Sequence, residues 1–204
     1  MVGSLAGSIT MVAMNIILMK YAGSDAVAAG AIVLAAQTIL SSIYMGYLQG
    51  ISPVISFYFG AENSSNLKAL YKSALITISG MAIVTFAFTF LLARPLSQLY
   101  ADGSEHVMNM TIGGIKIYAF AFLAMSFNLF ASSFFTALND GKTSAILTVC
   151  RTLVFLIMPL LILPQFFELN GVWMSLPVAE VLSLILSIWY LKHFWSSSSN
   201  YHRS

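Results

Sequence analysis

The chain has 204 residues, of which 59% are hydrophobic and only 8% charged. A water-soluble domain carries about 25% charged residues, so this composition excludes an ordinary soluble globule and names the bilayer as the solvent. A formal charge of +2 with no basic cluster excludes nucleic acid as a partner, and the single cysteine, Cys150, excludes an internal disulfide framework.

The apolar runs predict an all-α, polytopic bundle of six transmembrane helices over residues 1–194, with a polar tail at 195–204. The first span, about 2–19, ends at Lys20; no Lys or Arg precedes it, so it does not read as a signal peptide. The second, about 27–59, is the long one, because no charge occurs between Asp25 and Glu62. As one helix that run would be roughly 54 Å long, against a hydrocarbon core of about 30 Å. Gly46, Gly50 and Pro53 therefore read as a hinge near its cytoplasmic end, with Gln49 and Ser52 placed to satisfy freed backbone groups. The third span, about 73–92, is stopped by Arg94 and Pro95, and 96–110 reads as a short surface helix plus loop. The fourth, about 113–138, ends at the turn sequence Asn139, Asp140, Gly141, Lys142. The fifth, about 144–163, contains Pro159 and ends at Pro164; the sixth, about 171–191, contains Pro177, a further hinge candidate. The Ser-rich tail is expected to be disordered, and Cys150 to be a small buried apolar residue.

Six crossings put both termini on one side. Lys68, Lys72, Lys142, Arg151, Lys192 and Arg203 fall on that side, and Lys20, Arg94 and Lys116 on the other. The positive-inside rule then places both termini in the cytoplasm of a cell whose plasma (inner) membrane holds the protein.

Glu180 is the carboxylate that falls well inside a span, roughly 13 Å along the sixth helix from Gly171. A charge at that depth costs at least ~2.5 kcal/mol on insertion scales, so it is a functional candidate and suits a proton carrier. Arg151, on the preceding antiparallel helix, is within reach of it, so a structural ion pair is the competing reading, and both can hold together. Neutral polar residues fall in stripes at helical spacing: Ser4, Ser8 and Asn15; Gln37, Ser41 and Tyr44; Asn128, Ser132 and Thr136; Glu180, Ser183 and Ser187. Lipid offers such stripes no partner, so they should face inward. Asn15, Gln37, Tyr44 and Asn128 carry the larger polar groups and are candidates for a cavity wall, while single Ser and Thr residues read better as helix–helix contacts. There is no phosphate-binding loop, histidine pair, catalytic triad or potassium-type filter in the chain, so neither an enzyme nor a cofactor or metal is expected.

Three stretches carry a family resemblance. Gly46 to Asn63 (GYLQGISPVISFYFGAEN) resembles the eighth-helix region of multidrug and toxic compound extrusion (MATE) transporters. Ala137 to Ser144 (ALNDGKTS), with Arg151 to Phe155 (RTLVF), resembles the link from their tenth to their eleventh helix. Leu169 to Glu180 (LNGVWMSLPVAE) resembles the start of their twelfth. The resemblance implies export of cationic, amphipathic drugs or metabolites in exchange for H⁺ or Na⁺. It also implies twelve helices in two bundles, of which this chain matches the second. The expected partners are the bilayer, small organic cations, and an N-terminal six-helix half or a second copy of the chain. Some members hold the coupling cation through carboxylates on the seventh and tenth helices; here those helices carry Asn15 and Asn128, which leaves Glu180 as the available acid. The alternatives are a lipid-linked oligosaccharide flippase, which would want several basic residues in its cavity, and a non-transporting membrane subunit.

Overall fold

The computed structural model describes residues 2–100 and 105–201, and among them there is no strand. The elements in order are α1 (Val2–Gly60), α2 (Ser64–Leu91), α3 (Ala93–Tyr100), α4 (Glu105–Ala137) and α5 (Gly141–Val149). A π-helical turn (Cys150–Val154), α6 (Phe155–Ile162) and α7 (Pro164–Tyr201) follow.

The helical run of α1 is in fact a hairpin. Gly23 sits at φ 73°, ψ −163°, a backbone region essentially reserved for glycine, and it breaks α1 into arms at 2–22 and 24–60. The arms lie against each other: a methyl of Leu18 stands 2.5 Å from where a Cβ on Gly30 would be. Met14 and Leu18 of the first arm share a core with Ala26, Ala29 and Val33 of the second. Among the described residues five helices are long and apolar enough to cross a membrane, the last two being α5 through α6 and then α7, and the hairpin at Gly23 divides the first of the five into two arms.

Helix α4 is the axis of the bundle and packs against α1, α2 and α7. Toward its N-terminal half, Gly114 lets the indole of Trp173 approach closely, and Tyr118 meets the same ring edge-on. Toward its C-terminal half, Phe130 and Phe134 pack against Tyr71 of α2, and Phe134 also against Phe194 of α7. Large apolar side chains such as Ile76, Leu91 and Phe166 point outward, where lipid is the favourable solvent. The turn between α6 and α7 is tight, because a Cβ on Gly171 would collide with the Leu163 carbonyl.

Two turns at one end of the bundle are built alike. At the end of α1, Glu62 takes φ 52°, its N–H donates to the Phe59 carbonyl, and the Asn63 N–H donates to that of Tyr58. At the end of α4, Asn139 takes φ 61°, its N–H donates to Thr136, and the Asp140 N–H donates to Phe135. Both are Schellman endings, and each is followed at once by an N-cap. The Asn63 side chain accepts from the Asn66 N–H, and that of Asp140 from the Thr143 N–H. Ser56 clamps the two ends by donating to the Ala137 carbonyl at 2.8 Å.

Several expectations need correction. Helix α1 keeps a helical backbone through Gly46, Gly50 and Pro53 to Gly60, and its non-helical residue is Gly23, in the gap expected between the first and second spans. Pro177 likewise lies inside α7, whose non-helical residue is Glu168. Helix α2 starts at Ser64, within the stretch read as a polar link, because Asn63 caps it. Arg94 and Pro95 do not end a helix but open α3, where the first turn needs no proline N–H. The polar tail is helical as far as Tyr201, as a continuation of α7, and 202–204 lie outside the described residues. Cys150 is half-buried, not buried, because it opens the π turn.

Two predictions follow from the turns. Gly23→Ala should lower thermal stability in detergent by about 1–3 kcal/mol, because alanine is strained at that backbone. For Asp140, the Thr143 hydroxyl and then its N–H hold the carboxyl below the usual carboxylate range. A lowered folded value contributes stability above the unfolded pKa and loses it as pH falls through the folded value. Asp140→Ala should therefore cost about 1 kcal/mol at neutral pH, a loss that shrinks when unfolding is followed into acid.

Candidate functional site

Three helices converge on Glu180. Its stripe on α7, with Ser183 and Ser187 three and seven residues on, faces α4 and the π turn, and all three side chains are buried. Glu180 itself is 1% exposed. One carboxylate oxygen, Oε1, accepts from Nη1 of Arg151 at 2.7 Å. The other, Oε2, accepts from Nδ2 of Asn128 on α4, also at 2.7 Å. The same Asn128 nitrogen donates to the Glu180 backbone carbonyl at 2.9 Å, and its Oδ1 accepts from the Ser187 hydroxyl at 2.9 Å. Every polar atom of the Asn128 amide is thus satisfied by α7, which fixes its orientation.

The arrangement balances charge in a poor solvent for ions. A buried carboxylate left alone would bear the full loss of hydration; a guanidinium at contact and an amide donor on the second oxygen offset it. Burial is lopsided, since the Arg151 side chain is 20% exposed and that of Glu180 only 2%. The pair is therefore more open on the arginine side than on the glutamate side.

Arg151 owes its position to an irregularity. The chain forms a π turn at Cys150–Val154, in which the Phe155 N–H reaches back five residues to the Cys150 carbonyl. Such turns insert one residue into a helix and recur at functional sites. A widened turn leaves carbonyls poorly paired, and Thr10 of the first arm donates to one of them, that of Thr152, at 2.7 Å. A cluster of hydroxyls adjoins it between α4 and α5: Ser132 of α4 meets Ser144 and Thr148 of α5, and Ser144 meets Thr136 of α4.

Of the residues singled out by sequence, Glu180, Arg151 and Asn128 come together. Asn15, Gln37 and Tyr44 do not join their hydrogen bonds. Asn15 is half-buried on the first arm. Gln37 borders a small gap beside Thr89 and Tyr118. Tyr44 is buried in the core of the second arm. Sequence reasoning placed Ser187 on the right stripe but missed its bond to Asn128, and it missed the π turn altogether. Ser144, Thr148 and Thr152 at four-residue spacing mark a polar seam beside Arg151, but that spacing is ordinary for an α-helix and gives no sign of the π turn.

The family model for MatE matches residues 1–161. The chain belongs to the MatE family. Members of the family are transporters, not enzymes. Among curated relatives, this MatE chain is 23% identical over 185 residues to the multidrug export protein MepA of Staphylococcus aureus, covering 91% of this chain and 40% of that protein. Its fold is similar to a multidrug resistance MATE family transporter of the MOP superfamily in the inward-facing conformation (TM-score 0.92, 20% identity, 98% of this chain and 46% of the other). It is also similar to one in the outward-facing conformation (TM-score 0.90, 20% identity, 97% and 45%). The MatE chain thus spans less than half the length of the relatives it matches.

If Glu180 and Arg151 depend on each other, removing one partner should cost more than removing both. Thermal unfolding of wild type, Glu180→Gln, Arg151→Met and the double variant should give a coupling of about 1–3 kcal/mol; additive losses would show the pair to be incidental.

Proposed function

We propose that this chain forms one six-helix lobe of a secondary exporter of amphipathic organic cations, coupled to H⁺ or Na⁺ entry. The buried Glu180 carboxylate, shared between Arg151 and Asn128 within the family fold, is the observation that carries the reading. An intramembrane acid with a removable counter-ion is a two-state element. When a coupling cation or a cationic substrate takes the carboxylate, Arg151 is released, and α7 and the π turn lose the bond that joins them. Competition for one carboxylate is a sufficient basis for exchange.

Alternating access needs two bundles that rock about a site at the bilayer midplane. The likeness of this lobe to both inward- and outward-facing structures supports its moving as a rigid body. The other lobe would be an N-terminal six-helix half, or a second copy of the chain. In this reading the protein lies in the plasma membrane with both termini in the cytoplasm, and needs no cofactor besides the coupling ion. Among the described Lys and Arg residues, Arg151 is the one not fully exposed, and it is engaged by Glu180. That favours cations over a pyrophosphate-linked lipid as cargo.

Ethidium efflux from drug-sensitive cells tests the reading. Cells expressing this chain together with an N-terminal six-helix half should export the dye, and Glu180→Gln should cut the rate about tenfold or more at unchanged protein level, since an intramembrane acid is lost. Efflux that persists undiminished in Glu180→Gln would overturn the role given to the acid.

A further inference from the structure

At the end of the bundle that carries the two Schellman turns lies a cavity of about 910 Å³. It is walled by the last turn of α1, the α1–α2 turn, the α4–α5 turn and α7, and none of the residues around Glu180 contributes to it. Its size is that of a pocket for a drug-sized molecule. Rings dominate the wall: Tyr58 and Phe59 from α1, and Trp189, Tyr190, Phe194 and Trp195 from α7. Trp189 is 58% exposed and stands edge-on to Tyr190, with centroids 4.8 Å apart.

Two carboxylates complete the lining, Glu62 and Asp140, and among the described residues no Lys or Arg joins them. Lys142 is near Asp140 but does not line the cavity. His193 is the remaining titratable side chain of the wall outside the tyrosines, beside Trp189. Glu62 occupies its place against local preference. It holds the left-handed position of a Schellman turn (φ 52°), where glycine or asparagine would sit more comfortably. A charged residue kept at such a position points to a use for the charge. The Asp140 carboxylate accepts from the Thr143 N–H, and its hydrogen bonds to Thr143 hold its pKa below the usual carboxylate range.

We propose that this cavity is a second, peripheral binding site, which takes a free lipophilic organic cation: its charge lies between Glu62 and Asp140 and its flat body against the Trp189 and Tyr190 rings. Aromatic faces attract cations through their quadrupole, and the carboxylates supply the net charge that rings lack. The site needs neither the second lobe nor Glu180, so it stands or falls separately from the exporter reading.

Titration of the purified chain in detergent with rhodamine 6G tests it, by dye anisotropy and tryptophan quenching. Saturable binding is expected, and Trp189→Phe should remove much of the quenching. Glu62→Asn is the decisive variant, because asparagine tolerates the left-handed backbone. It should raise the melting temperature yet weaken dye binding about threefold or more, while Trp189→Ala weakens it similarly. Binding by Glu62→Asn equal to wild type would overturn the proposal, as would the absence of saturable binding. Displacement of the dye by dihexanoylphosphatidylcholine but not by dihexanoylphosphatidylglycerol would assign the cavity to a lipid headgroup, and so overturn it as well.

Discussion

The carboxylate of Glu180 is the constraint around which the bundle is arranged. A charge near the middle of a bilayer costs about 2.5–3.5 kcal/mol even on the mildest scales, so it survives there only where protein answers it. Here the answer comes from three directions: Arg151 from the π turn, Asn128 from α4, and Ser187 of the same helix behind Asn128. Side chains from α4 and the π turn therefore meet at one acid on α7. Close packing of α4 against α7 and the placement of the π turn both serve that meeting.

The surrounding fold keeps the site shaped without closing it. Gly23 reverses the first helix so that its two arms form a wall beside α4, and Thr10 on that wall supports the loosened backbone of the π turn. Arg151 is left partly exposed while Glu180 is not. On the proposed account this asymmetry is functional, because a cation reaches the acid by displacing the arginine. The fold of the bundle is similar to both inward- and outward-facing structures.

Much of this was legible in the residues themselves. Hydropathy located the long apolar helices, the lone acid in the last of them drew attention to Glu180, and antiparallel spacing brought Arg151 within reach. What escaped was whatever depends on local helical register. The long uncharged second span suggested a hinge at Gly46, Gly50 and Pro53, yet a proline in a helix removes one bond and can be absorbed, and the backbone there stays helical. The reversal at Gly23 falls in the gap already left between the first two spans. The π turn left no compositional mark, since inserting one residue into a helix changes phase and not hydropathy. The helical tail beyond residue 195 was read as disordered from its serines; the apolar rings of Phe194 and Trp195, packed on Tyr71 and Phe134, extend α7 in spite of them.

The central claim is that a cation competes with Arg151 for the Glu180 carboxylate. Infrared difference spectroscopy on the purified chain, with and without tetraphenylphosphonium, reads that carboxylate directly. The account predicts a shift of a carboxylate stretching band on addition of the cation, absent in Glu180→Gln. A spectrum in which the same band shift persists in Glu180→Gln, or in which no carboxylate band moves in the wild type, would contradict it.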